Sequence, residues 1–100
     1  MHTNYRFSPG VSPENISLLK SKIHHLRRSL PDRFSCDAII EKINAGSFRT
    51  WIRLSFSEKV LEETHQSYNE AASVKIALIT IERKAHHHKH LNRQSVDINT

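Results

Sequence analysis

From Phe48 to Phe56 the chain alternates strictly. Phe48, Thr50, Ile52, Leu54 and Phe56 fall on one side of an extended strand, and Arg49, Trp51, Arg53 and Ser55 fall on the other. The apolar side belongs to a core, so this chain has to build a sheet and then cover one face of it. The opposite side carries an aromatic between two guanidinium groups. That pattern suits stacking on bases and pairing with phosphates, as on single-stranded RNA, and it equally suits Trp51 packed under neighbouring strands with the arginines extended beside it.

The cover is readable on both sides of this strand. Ser12-Pro13-Glu14 is a strong helix start: Ser12 caps free N–H groups, Pro13 suits the first helical position, and Glu14 faces the positive end of the dipole. Ile16, Leu19, Ile23, Leu26 and Leu30 follow at spacings of three and four, and Pro31 ends the segment. A second helix is expected after Asn69, a good cap, with Val74, Leu78, Ile81 and Ala85 spaced four, three and four. The rival reading is a strand through Val74 to Ile81, where β-branched residues crowd and Ile76 and Ile79 fall off the helical stripe. In a helix those two isoleucines need cover from the first helix, another chain or another partner.

The remaining elements are strands. Thr3 to Phe7 places Tyr5 and Phe7 on one face before the Ser8-Pro9-Gly10 turn, and Phe34 to Ile43 is β-rich. Asn44-Ala45-Gly46-Ser47 then turns the chain into the Phe48–Phe56 strand, and Lys59 to His65 forms a further, more polar one. The order strand, helix, three strands, helix predicts an α+β fold, β-α-β-β-β-α, with a four-stranded sheet and two helices packed on one face. One domain over residues 1–93 accounts for this pattern, and residues 94–100 are expected as a disordered tail.

Charge narrows the partner class. The chain of 100 residues carries a formal +5 with its eight histidines neutral, which makes a polyanion the first partner to consider. Lys20, Lys22, Arg27 and Arg28 lie on the first helix, where Lys20, His24, Arg27 and Arg28 share a flank; they are either a solvated face or part of a nucleic-acid footprint. Arg83, Lys84, Lys89 and Arg93 lie at the end of the last helix, and Glu58, Glu62, Glu63 and Glu70 lie between the two basic segments.

Other chemistry is poorly supported. His86 and His90 are one helical turn apart, but two ligands do not make a tetrahedral centre, and no CxxC or HExxH accompanies them, so no metal or other cofactor is expected. Glu62 and Glu63 are adjacent and point to opposite faces of a strand, which removes the one pair of neighbouring carboxylates that might face each other as acid and base; catalysis is not expected. The single Cys36 cannot form an internal disulfide and reads as a small core residue. The first residues, MHTNYRFSPG, lack the apolar core of a secretory signal, and the longest apolar run, Ile76 to Ile81, is far below a membrane span. A soluble, cytoplasmic protein without a membrane or small-molecule partner is expected.

On these residues the chain resembles the ribosome hibernation-promoting factors, also called ribosome-associated inhibitor or sigma-54 modulation proteins, in their short form. MHTNYRFSPGVSPENISLL is similar to that family's opening strand and first helix, and LPDRFSCDAIIEKI to its helix exit and second strand. NEAASVKIALITIERKAHHHKH resembles the closing helix, with an R-x-x-x-x-H-K pattern at Arg83, His88 and Lys89. The resemblance implies a non-enzymatic factor, monomeric when free, that binds rRNA of the small ribosomal subunit in the channel used by messenger and transfer RNA and silences idle ribosomes. It implies rRNA-facing roles for Arg83, Lys84, His88 and Lys89, and for Lys22 and Arg28 on the first helix.

Overall fold

The computed structural model describes residues 2–99, residues 88–99 by backbone alone. Its elements are β1 (Thr3–Phe7), α1 (Pro13–Ser29), β2 (Ser35–Asn44), β3 (Ser47–Ser55), β4 (Val60–Ser67) and α2 (Glu70–Asn99). The expected β-α-β-β-β-α order is therefore the observed one. The positions His88, Lys89, His90 and Arg93, and the tail expected at 94–100, fall where side chains lie outside the described residues.

The four strands form one sheet in the order β1-β2-β3-β4, with β1 parallel to β2 and the other two pairs antiparallel. Register decides what each face carries. Tyr5 pairs with Ala38, Ala38 with Ile52, and Ile52 with Glu63, so the apolar positions of β1, β2 and β3 line up on the helix-covered side, with Glu63 of β4 at the end of the row. One residue out of phase, Arg6, Ile39, Trp51 and Thr64 form a row across the opposite, uncovered face, and Asn4, Asp37, Arg53 and Glu62 form the next row. The β2–β3 register shifts between Lys42 and Asn44, at the hairpin end.

Local chemistry sets the helix limits. Ser12 sits in extended backbone and its Oγ accepts from the Glu14 N–H at 3.2 Å, with Pro13 opening the helix behind it. The Leu30 N–H closes α1 on Leu26 O before Pro31. At α2 the Asn69 Oδ1 accepts from the Ala72 N–H at 2.9 Å. Gly10, at φ +87°, turns the chain between β1 and α1 in a conformation that a side chain would strain.

The core lies between the sheet and the two helices. Leu19, Ile23 and Leu26 of α1 and Val74, Ala77, Leu78, Ile81 and Ala85 of α2 are buried against Cys36, Ala38, Ile40, Ile52 and Leu54. Truncating one of these leucines or isoleucines to Ala costs about 2–5 kcal/mol, so each sets the position of its element. The strand alternative for 74–81 is excluded by this packing: the stripe Val74, Ala77, Leu78, Ile81 is buried as a helical face, and tertiary contact outweighs the local β preference. Ile76 and Ile79 are 42% and 51% exposed, so α1 does not cover them.

Strand directions make the helices parallel to each other. Strands β1, β2 and β4 run one way, and each helix returns the other way. Glu70 fixes their relative height, because its Oε1 accepts from the Ser12 N–H at 2.8 Å and from Asn15 Nδ2 at 2.6 Å. At about 1.5 Å of rise per residue, the end of α1 near Arg28 lies level with the part of α2 near Arg83.

Candidate nucleic-acid interface

The parallel helices bring exposed basic residues from two distant sequence segments side by side. On α1, Lys22, His24, His25 and Arg28 are exposed; on α2, Lys75, Arg83, Lys84, His86 and His87 are exposed. Arg27 and Arg28 also stand in the last turn of α1, where positive charge complements the dipole.

The expected basic residues divide by what their charged groups already hold. Arg27 is only half-exposed. Its Nη1 donates to Phe34 O at 2.6 Å, its Nη2 donates to His2 O at 3.2 Å and to Thr3 Oγ1, and the guanidinium lies 4.6 Å from the Phe34 ring centroid. That group clamps the start of β1 and the α1–β2 connection to the helix. Lys20 Nζ lies 5.5 Å from the Tyr5 ring centroid and 5.8 Å from that of Phe7, over a stacked aromatic pair. Lys20 and Arg27 therefore turn toward β1, and the flank expected to unite them with Arg28 is split.

Lys84 is likewise engaged. Its Nζ lies 2.7 Å from Glu63 Oε2 and donates to Glu62 O at 3.1 Å, joining α2 to the edge strand β4. Half of its side chain stays in solvent, so this ion pair is screened. Lys22, Arg28 and Arg83 hold no ion pair among the described residues. Glu62 and Glu63 lie on opposite faces of β4, as the alternation requires.

The uncovered sheet face carries the other expected cluster. Trp51 is half-buried and out of phase with Thr50 and Ile52, which face the helices, so it stands on the opposite face of the sheet. Arg49 donates through Nε to Glu41 Oε1 at 2.7 Å and through Nη2 to the same oxygen. Arg53 holds no ion pair among the described residues. A cleft of about 530 Å³ opens here, lined by Asn4, Arg6, Asp37, Ile39 and Trp51 together with Tyr5 and Ala38. Arg6 is a basic residue of this face beyond those expected: the alternation that puts Tyr5 and Phe7 inside puts Arg6 outside. Lys75 on α2 is likewise beyond those expected.

Cys36 is fully buried, and burial pushes its thiol up to about 12, with the Asp37 carboxylate adding to that and the Arg27 guanidinium opposing it. The thiolate needed for nucleophilic chemistry is thus suppressed. Among the described residues, no three His, Cys, Asp or Glu side chains gather as a metal site. No helix among them is long and apolar enough to cross a membrane.

No protein-family model matches this chain, and no curated protein matches it in sequence. Solved structures do. A ribosomal subunit interface protein from Coxiella burnetii superposes with a TM-score of 0.71 at 16% identity, over 90% of this chain and 99% of that one. The N-terminal domain of Thermus thermophilus Protein Y superposes with a TM-score of 0.69 at 10% identity, over 85% of this chain and 96% of that one. The fold implied by the resemblance to the hibernation-promoting factors is thus the fold that this chain shares, nearly end to end, with a ribosomal subunit interface protein.

Proposed function

We propose that this chain is a non-enzymatic, cytoplasmic ribosome-associated factor that binds rRNA of the small subunit and holds translation back under stress or in stationary phase. The observation that carries this reading is the parallel pair of helices, which sets Arg28 level with Arg83, with Lys22 about two turns back on α1, on a fold shared with a ribosomal subunit interface protein. Two basic helices side by side engage phosphates without reading sequence. Lys84, His88 and Lys89 extend the same contact along α2, and Lys20 and Arg27 support it from within the fold.

Co-sedimentation with isolated small subunits tests the reading. Binding is expected at low salt and weakens steeply as salt rises. Reversing Arg28 and Arg83 together should abolish sedimentation near physiological salt, and each lost phosphate contact should lower the salt slope by about 1. Absence of the wild-type chain from the subunit peak at low salt would overturn the proposal. Ile76 and Ile79, exposed on α2, favour a second reading as a protein-interaction surface; concentration-dependent light scattering would show self-association through them.

A further inference from the structure

On the uncovered sheet face, Trp51 and Arg6 stand in one cross-strand row, on β3 and β1, with Ile39 of β2 between them. Neighbouring strands are about 4.8 Å apart, so two side chains rising from β1 and β3 bound a slot about 10 Å wide. One planar ring stacked at about 3.5–4 Å on the indole and at the same distance from a guanidinium plane needs about 7–8 Å, which the slot contains once the flexible arginine side chain leans inward. The slot therefore has room for one nucleobase between Trp51 and Arg6, with Ile39 as an apolar floor.

The next row supplies polar groups at the end of that slot. Asp37 is half-buried, and its Oδ1 accepts from Asn4 Nδ2 at 3.2 Å, which orients the carboxylate and leaves Oδ2 open. Arg53 faces Asp37 in register, yet among the described residues neither Arg53 nor Arg6 forms an ion pair, whereas Arg49 beyond them is held by Glu41. Arg6, Trp51 and a fixed acceptor thus line a cleft of about 530 Å³, room for a nucleotide, and Arg53 stands beside it, in register with Asp37.

We propose that this cleft binds a guanine nucleotide, with the base between Trp51 and Arg6 and the phosphate on Arg53. Guanine is the fitting base because its N1–H and N2–H groups are donors on one edge, which the carboxylate accepts with Oδ2 and the second lone pair of Oδ1; adenine presents an acceptor where guanine has N1–H. The guanine comes either as a free nucleotide or as an unstacked base of single-stranded RNA. The proposal does not depend on ribosome binding through the helices, which lie on the opposite face of the sheet. It departs from the expectation that the chain has no small-molecule partner.

Trp51 is the sole tryptophan, so its fluorescence reports this cleft alone. Titrate the isolated chain with GMP, with AMP, and with a nine-nucleotide uridine oligomer carrying one central guanosine or none. Saturable quenching by GMP supports the proposal with a free nucleotide as ligand; saturable quenching only by the guanosine-bearing oligomer supports it with RNA as the source. Asp37→Asn keeps the Asn4 partner but puts a donor at Oδ2, and should weaken guanine binding about tenfold or more, the loss of a charge-assisted hydrogen bond. Arg6→Ala should weaken it too, while both variants keep the wild-type melting curve. Equal binding of GMP and AMP, guanine binding unaffected by Asp37→Asn, or no saturable quenching by any of these ligands would overturn the proposal.

Discussion

Glu70, in the first turn of α2, accepts a hydrogen bond from the Asn15 side chain of α1 at 2.6 Å and from the Ser12 backbone at 2.8 Å through the same oxygen. One carboxylate thus serves the starts of both helices, adding negative charge where both dipoles are positive. It sets the height at which the basic ends of the helices meet.

Glu70→Ala should therefore lower stability by about 1–2 kcal/mol, because the Ser12 N–H and the Asn15 amide lose a charged acceptor at a half-buried site. Glu70→Gln keeps an acceptor oxygen and should cost less. Urea unfolding of the three proteins makes the comparison. Equal midpoints would mean that core packing alone aligns the helices.

Arg27 and Arg28 are adjacent and should behave oppositely. Arg27 spans Phe34 O, His2 O and Thr3 Oγ1, so Arg27→Ala leaves carbonyl oxygens without their donor and frees the start of β1, at a cost of about 2–3 kcal/mol. Arg28 is exposed, and Arg28→Ala should change stability by less than about 0.5 kcal/mol. Lysine at position 27 cannot span the same acceptors and should rescue little. Thermal melts of the three variants test this, and a stable Arg27→Ala protein would show that the clamp is dispensable.

That contrast shows where sequence reading succeeds and where it stops. The Phe48–Phe56 alternation, the Ser12-Pro13-Glu14 start and the 74, 78, 81, 85 spacing are local patterns, and each became the element it implied. The strand alternative for 74–81 stayed open because Ile76 and Ile79 are β-branched and off the stripe. Burial of Ala77 and Leu78 against the sheet decides it, and that is a tertiary fact. Charge counting placed the basic ends correctly on the two helices. It could not separate Arg28 and Arg83, which hold no ion pair among the described residues, from Arg27 and Lys84, which reach acceptors on other elements. Arg6 was legible by phase alone, but its relation to Trp51 needed the strand order.

The buried hydroxyl pair of Thr50 and Ser73, 3.0 Å apart, joins β3 to α2 inside the core. Ser73 Oγ also donates to Glu70 O at 2.8 Å, whereas Thr50 has Ser73 as its side-chain partner. The two deletions should therefore differ. Ser73→Ala strands a fully buried Thr50 hydroxyl and should cost about 1–3 kcal/mol; Thr50→Val leaves Ser73 satisfied and should cost less than about 1 kcal/mol. Combining them should cost less than the sum, because the stranded hydroxyl is then gone. Additive losses in denaturant unfolding would show that the two side chains act independently.

Cys36 gives the chain a dependence on high pH. Burial raises its thiol from 9.0 to about 12, so between those values the folded protein holds a proton that the unfolded chain releases. The unfolded state then binds fewer protons, and stability must fall as pH rises. The contribution is intact below about pH 9 and is lost progressively as pH climbs toward 12. Cys36→Ala removes this ionisation, so the wild type should lose more stability than the variant between pH 8 and pH 10.5, with lysines and tyrosines common to both. At pH 8 an alkylating reagent should leave the folded protein unlabelled and modify Cys36 only after denaturation. Rapid labelling of the native chain, or parallel stability curves for wild type and Cys36→Ala, would show that the thiol is not held as the burial implies.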